Sequence, residues 1–361
     1  MKSSRSLVGV VAALAVAGLT VGLALGSRAH GASADGRLPK AATVEHARRP
    51  GTTQLGIDVL YYSSGDLSAS QIALQARRDI NYVVGLGGNA ISIAFPFYTL
   101  GSKSTTVFAG PGTPSSGQLG SIVQAASASG LRVSLRPLLD QGDLNAGVWR
   151  GTITPTSPRA WLASYGMFLK PYLQMAASDH VATFVLGSEL SGLQGSPYWQ
   201  QLVGMARQLY HGQLAYSENW DVFHLGWPTP PVTLSVDFYP PMNAKPAASV
   251  RELDQQMIGW WSTPKHQVDD HGLVLSEVGL AAQDGAYKTP WEIDLQNAAF
   301  NPAVQATWFE ATCEVTHQRH FAGLYFWNIP FTSNDYVRSQ PSSFVGRPGE
   351  KEIKKCFDSF A

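Results

Sequence analysis

Two glutamates stand where buried segments meet solvent. Glu189 follows the apolar run Phe184-Val185-Leu186-Gly187-Ser188, and Glu277 follows Leu273-Val274-Leu275-Ser276. A third apolar run, Leu324-Tyr325-Phe326, ends in the aromatic Trp327 and the amide Asn328. Two carboxyl groups beside a flat aromatic face have the chemistry to break a glycosidic bond. One donates a proton to the leaving oxygen, and the other attacks the anomeric carbon or activates water there. The chain carries 10 Trp, enough to build a platform for pyranose faces. A lone strand-end Glu is more often a loop ion pair or a helix cap. Two of them, with the Trp-Asn ending, favour catalysis.

Competing carboxylates are Asp58 in a first strand, Asp140 after a third, Glu218 ending a fifth and Asp237 inside a sixth. Each could be a structural ion pair, and Glu218 could instead bind substrate. Arg136, in Leu135-Arg136-Pro137, either pairs with Asp140 or serves the site, near the second glutamate or on a sugar hydroxyl. Tyr239, closing the sixth strand, is placed to donate its hydroxyl to Glu277, which would keep that carboxylate ionised and oriented. Trp327 would form the floor under the reacting sugar. Asn219 and Trp220 would line the cleft from the fifth strand, and Trp291 would cover it from the loop after the seventh. Trp149, Trp161, Trp199, Trp227, Trp260, Trp261 and Trp308 read as packing or surface aromatics.

The elements that must position these groups alternate. Strand-like runs begin at Leu55, Asn89, Leu131, Val181, Gln213, Val232, Leu273 and Ala322. Helical stretches intervene, among them Ser68–Val84, Pro158–Ala177, Tyr198–Tyr210, Val250–Trp261, a long one over Asp294–His317, and a last one over Glu350–Phe360. Strands alternating with helices imply parallel pairing with right-handed crossovers. This predicts an α/β fold, a (β/α)8 TIM barrel forming one catalytic domain over residues 54–361. Such barrels place their chemistry at the C-terminal strand ends, where both glutamates fall. No Gly-rich phosphate fingerprint follows the first strand, which argues against a dinucleotide fold.

Composition narrows the partners. Of 361 residues, 44% are apolar and only 14% charged, with Lys+Arg and Asp+Glu balanced at 26 each. There is no basic footprint for nucleic acid. The nine His are scattered, without HExxH or CxxC spacing, so no metal and no cofactor is expected. A polysaccharide or oligosaccharide is the expected substrate and a monomer the expected state. Residues 1–34 read as an export signal: Lys2 and Arg5, an apolar stretch from Leu7 to Gly26, then Ala32-Ser33-Ala34. The alternative is an uncleaved membrane anchor, since ~20 apolar residues can span a bilayer. Residues 35–53 read as a flexible lead-in, and the product as secreted or membrane-tethered. In an oxidising compartment Cys313 and Cys356 can pair and staple the last two helices; otherwise they are buried thiols.

The ordered set Val185–Leu190, Leu214–Trp220, Val236–Pro240, Leu275–Gly279, Gly285-Ala286, Pro290-Trp291, Phe326–Asn328 and Gly346–Pro348 resembles glycoside hydrolase family 113, in the clan of retaining (β/α)8 glycosidases. That family's known activity is β-1,4-mannan hydrolysis. The resemblance implies Glu189 as acid/base and Glu277 as nucleophile. Many clan members carry Asn immediately before the acid, where it binds the substrate 2-hydroxyl. Ser188 stands there in this chain, a shorter donor, so the identity of the sugar stays open. A non-catalytic carbohydrate-binding barrel is the rival from another class; it would keep the Trp floor and lose the carboxylates.

Overall fold

The computed structural model of this chain describes residues 53–65, 67–144, 147–263, 269–331 and 340–360. The expected leader, and all of the lead-in except Thr53, lie outside the described residues. Among those described, eight parallel strands close into a barrel in chain order. They are β1 Gln54–Leu60, β2 Ala90–Phe97, β3 Arg132–Leu139, β4 Thr183–Ser188, β5 Gln213–Asn219, β6 Thr233–Asp237, β7 Val274–Val278 and β8 Gly323–Pro330. Between and after them run α1 Ala69–Gly85, α2 Ser116–Ala128, α3 Pro158–Ser178, α4 Ser191–Gln194, α5 Trp199–Leu209, α6 Trp220–Leu225, α7 Val250–Trp261, α8 Pro302–Arg319 and α9 Pro348–Ser359. The expected (β/α)8 barrel is therefore the architecture found. No helix among the described residues is long and apolar enough to cross a membrane.

Side-chain alternation along each strand divides two interiors. On β1, Leu55, Ile57 and Val59 are buried in the apolar core. Asp58, between them, is buried with the polar set of the barrel lumen. Bulky branched residues usually fill that lumen. Here Ser92, Ser134, Ser217, Ser235 and Ser276 supply much of it, around Arg136 and Asp237. Tyr325 of β8 crosses the lumen because β1 carries Gly56 opposite it; a Cβ there would lie 2.3 Å from the Tyr325 ring. The helix starts follow local capping chemistry: Ser68 and Ser115 close capping boxes with Gln71 and Gln118, and Ser157 caps α3 ahead of Pro158.

Two boundaries differ from expectation by more than two residues. The helix expected over Asp294–His317 begins only at Pro302, capped by the Asn301 side chain on the Ala303 amide. Proline takes the first helical position because it has no N–H to satisfy there. The preceding residues instead pair with the loop after β7, through Gln283↔Phe300 and the Leu295 amide on Gln283 Oε1. Strand β8 continues past Trp327 to Pro330, so that residue lies inside its strand. At Cys313 of α8 and Cys356 of α9 the two helices are joined by a disulfide, Cα–Cα 5.7 Å.

Candidate active site

Three strands break register where the candidate residues lie. Between Val185 and Ser188, β4 carries one residue more than β5. Between Leu275 and Val278, β7 carries one more than β8. Between Phe326 and Ile329, β8 carries one more than β1. A bulge of this kind re-aims a side chain that strict alternation would send to the other face. On β7 it lets consecutive residues both reach the lumen: Ser276 Oγ donates to Asp237 Oδ1 at 2.9 Å, and Glu277 reaches Arg136. Glu189, just past β4, has φ 54°, a left-handed conformation uncommon for a non-glycine residue. Its amide donates to the Ser217 carbonyl at 2.9 Å, which ties the turn to β5. The Trp327–Asn328 peptide bond is cis.

Arg136 is the centre of the cluster. Its Nη2 lies 2.5 Å from Asp237 Oδ2 and 2.7 Å from Glu277 Oε1, and its Nη1 donates to the Ser276 carbonyl at 3.2 Å. The Glu277 contact is at ion-pair distance but is not aligned as a hydrogen bond. The Arg136 guanidinium carbon is 5.9 Å from the Trp327 ring centroid, within cation–π range. Tyr239 donates its hydroxyl to Glu277 Oε2 at 2.9 Å. Behind Asp237 runs a hydroxyl ladder: Ser235 Oγ and Ser217 Oγ are 2.9 Å apart, Ser217 donates to Ser276 at 3.0 Å, and Ser276 donates to Asp237. The alternative in which Arg136 pairs with Asp140 is ruled out. Asp140 accepts from the Tyr62 hydroxyl and the Gly142 amide instead.

Burial raises the carboxyls here, because a charge in a closed lumen loses its hydration. It pushes Glu189 up to about 7; Asp237 adds to the push, and Arg150 opposes it most. Glu277 and Asp237 are also raised chiefly by burial, with Arg136 the largest opposing influence on both. Arg150 was not anticipated. It sits in a 3-10 turn, Arg150–Thr152, with Nη1 3.8 Å from Glu189 Oε2. No local pattern marks it, since the contact is made by a turn ahead of α3 that packs against α4, just past Glu189.

The remaining expected residues divide. Trp220 and Trp291 come together, their rings nearly parallel at 10° with centroids 5.7 Å apart. Asn219 gives its amide to Asp221 Oδ1 at 2.8 Å, so that group is already engaged. Ser188 is buried, and its hydroxyl makes no hydrogen bond among the described residues. Asn328 is half-buried beside Trp327. Glu218 does not fit a substrate-binding role. It is fully buried and receives the Gln194 amide of α4 at 2.5 Å. Trp161, Trp199, Trp261 and Trp308 are buried packing residues, while Trp227 is exposed. Among the described residues no cluster of His, Cys, Asp and Glu could hold a metal ion.

The profile of Glycoside Hydrolase Family 113 matches residues 69–343. A GH113 β-1,4-mannanase superposes with a TM-score of 0.70 at 20% identity, over 85% of this chain and 100% of that one. The GH113 β-mannanase of Alicyclobacillus acidocaldarius in complex with ManMIm gives 0.67 at 20% identity, over 86% and 97%. A GH5_18 protein of Streptomyces cattleya in complex with GlcNAc gives 0.53 at 11% identity, over 85% and 81%. No curated protein matches the chain. At these identities the structural likeness speaks for the barrel alone, and the profile carries the assignment: this chain belongs to glycoside hydrolase family 113.

Proposed function

We propose that the chain is a retaining glycoside hydrolase acting on β-1,4-linked mannan or glucomannan, with Glu277 as nucleophile and Glu189 as acid/base. The observation that carries this reading is the asymmetry between the two glutamates. Burial raises Glu277 too, but Arg136 at 2.7 Å and the Tyr239 hydroxyl at 2.9 Å both favour its charged form. Glu189 has Arg150 at 3.8 Å and, more weakly, the charge of Arg136 to oppose burial, which still pushes it up to about 7, so it keeps its proton at mildly acid pH. Two carboxyls whose surroundings separate their protonation states are what acid and nucleophile require.

In the first step a Glu277 oxygen attacks the anomeric carbon. The glycosidic C–O bond breaks, and the Glu189 proton passes to the leaving oxygen. The glycosyl ester removes the Glu277 charge. Glu189 raises Glu277, and a repulsion between two charges acts on both, so this lowers the Glu189 affinity for a proton. Glu189 then accepts a proton from water, which attacks the same carbon and releases Glu277. Retention of configuration follows from the two displacements. The Trp327 ring is the proposed floor of the reacting sugar's site, and the Trp220–Trp291 pair a further stacking surface. The mannan preference is supported by the family and by the named mannanase neighbours. We read residues 1–34 as directing export, which suits a polymer substrate outside the cell.

The test is reducing-sugar release from mannan, glucomannan, cellulose and galactan by the native protein and by Glu277→Ala. The anomer first formed is followed by NMR. Release from mannan or glucomannan by the native protein alone, with the β-anomer first, is expected. Release from another polymer only would remove the mannanase reading and leave the mechanism. An α-anomer as first product would overturn double displacement.

A further inference from the structure

The lumen beneath Glu277 holds more carboxyl groups than cations. Asp58, Asp237 and Glu277 all act on the single guanidinium of Arg136, and all are buried. Like charges this close in a closed interior cannot all be ionised, so the cluster must hold protons. The hydrogen bonding indicates where. Asp237 receives Arg136 Nη2 and Ser276 Oγ. Glu277 receives Tyr239 and lies against Arg136. Asp58 is fully buried, and among the described residues the Ser92 hydroxyl, outside strict hydrogen-bond geometry, is the one donor that acts on it. An ionised carboxylate with one neutral hydroxyl as its donor is costly in such a place, whereas a carboxylic acid is tolerated.

The groups facing Asp58 can be named strand by strand. They are Ser92 on β2, Arg136 on β3, Asp237 on β6, Glu277 on β7 and Tyr325 on β8. Only Arg136 brings a positive charge, and it is already shared. Burial outweighs Arg136 and pushes the Asp58 carboxyl up to about 7; Ser92 opposes that push less than Arg136 does. An ionised Asp58 would in turn raise Glu277.

We propose that Asp58 is a positioning residue that works as a neutral carboxylic acid, leaving the charge of Arg136 to Asp237 and Glu277. The consequence for activity rests on the assignment of Glu189 and Glu277 above; the protonation state itself does not. Raising the pH would then remove two protons that matter, one from Glu189 and one from Asp58. The alkaline limb of kcat/KM should be steeper than a one-proton titration.

Two measurements test this. The first is infrared difference spectroscopy of protein labelled with ¹³C-aspartate, native against Asp58→Asn, or Asp58→Ser should Asn fail to fold. Asp79 is also buried and raised, so the native-minus-variant difference is needed to isolate Asp58. A protonated-carboxyl carbonyl band is expected in the native protein at pH 6. It should fade as pH passes about 7 and be absent from the variant. The second is the pH profile of kcat/KM, where the variant should relax to a one-proton alkaline limb. No variant-sensitive carbonyl band, or normalised profiles that superimpose, would overturn the proposal. A band that behaves as expected in a protein that hydrolyses none of the polymers would leave Asp58 neutral and remove the catalytic assignment instead.

Discussion

Arg136 Nη2 lies 2.7 Å from Glu277 Oε1, and both side chains are almost wholly shielded from water. The same nitrogen also touches Asp237, so the nucleophile candidate and a lumen carboxylate are held by one atom. Arg136→Gln removes that hold while keeping a planar amide. Removing one preorganised charge-stabilising donor costs about 10²–10³-fold in kcat. Kinetics on mannan well below the variant's unfolding midpoint should show a loss of that size. Breaking the buried pair should also cost about 3–5 kcal/mol of stability. Activity within threefold of native would mean that Arg136 only fills the barrel.

Tyr239→Phe isolates the second contact on Glu277. The hydroxyl donates to Oε2 at 2.9 Å, which favours the carboxylate over the acid. Its loss raises the Glu277 affinity for a proton, so the acid limb of kcat/KM should move to higher pH. We expect kcat to fall about 10- to 100-fold with a small change in KM, because the bond acts on the reacting group and not on sugar binding. An acid limb that stays in place would show that Arg136 alone sets the ionisation of Glu277.

The limits of sequence reading follow from the same residues. Glu189 and Glu277 were visible because a charge at the end of an apolar run is a local signal. The barrel was visible because apolar runs and helical stretches alternate along the chain. The bulges in β4, β7 and β8 were not visible, since an extra residue is defined only against the neighbouring strand. For that reason the sequence alone leaves the partner of Arg136 between Asp140 and the site. The serine ladder was hidden likewise: Ser217, Ser235 and Ser276 are ordinary strand residues until closure brings three strands around one lumen. The α8 start, by contrast, could have been read. Asn301-Pro302 is a capping signal inside the expected span, and it marks where the helix begins.

The parallel Trp220 and Trp291 rings give a stacking surface contributed by the start of α6 and the loop after β7. Trp220→Ala should raise KM for longer oligosaccharides more than for the shortest substrate, with kcat changed less than about tenfold. Equal effects on substrates of every length would place the pair in packing and not in sugar binding.

The Cys313–Cys356 bond closes a separation of 43 residues between α8 and α9. A loop of that size corresponds to about 4 kcal/mol of stabilisation in the chain-entropy relation. The double variant Cys313→Ser with Cys356→Ser should unfold at a lower denaturant midpoint than the oxidised native protein. Reductant should then have no further effect on the variant. Its activity under folding conditions should match native, since neither helix contributes a residue to the Arg136 cluster. Coinciding midpoints would mean that the helix contacts carry the stability without the bond.

Stability should fall as pH rises from mildly acid to mildly basic. Burial pushes Asp58 and Glu189 up to about 7 and Glu218 up to about 8. In the unfolded chain the same groups lose their protons near pH ~4. Between those limits the native state binds more protons than the unfolded state, so its advantage shrinks as pH increases. The contribution is complete below about pH 4 and gone once the native groups ionise, at ~1.4 kcal/mol per pH unit per group. Glu218 provides the clean test, because it lies against Gln194 of α4 and outside the proposed chemistry. Glu218→Gln keeps an acceptor for that amide and cannot ionise. Calorimetric midpoints from pH 5 to 8 should decline in both proteins, less steeply in the variant, with the variant gaining at pH 8. Parallel curves would mean that Glu218 is ionised in the folded protein throughout, and that Gln194 with its surroundings stabilises the charge burial disfavours.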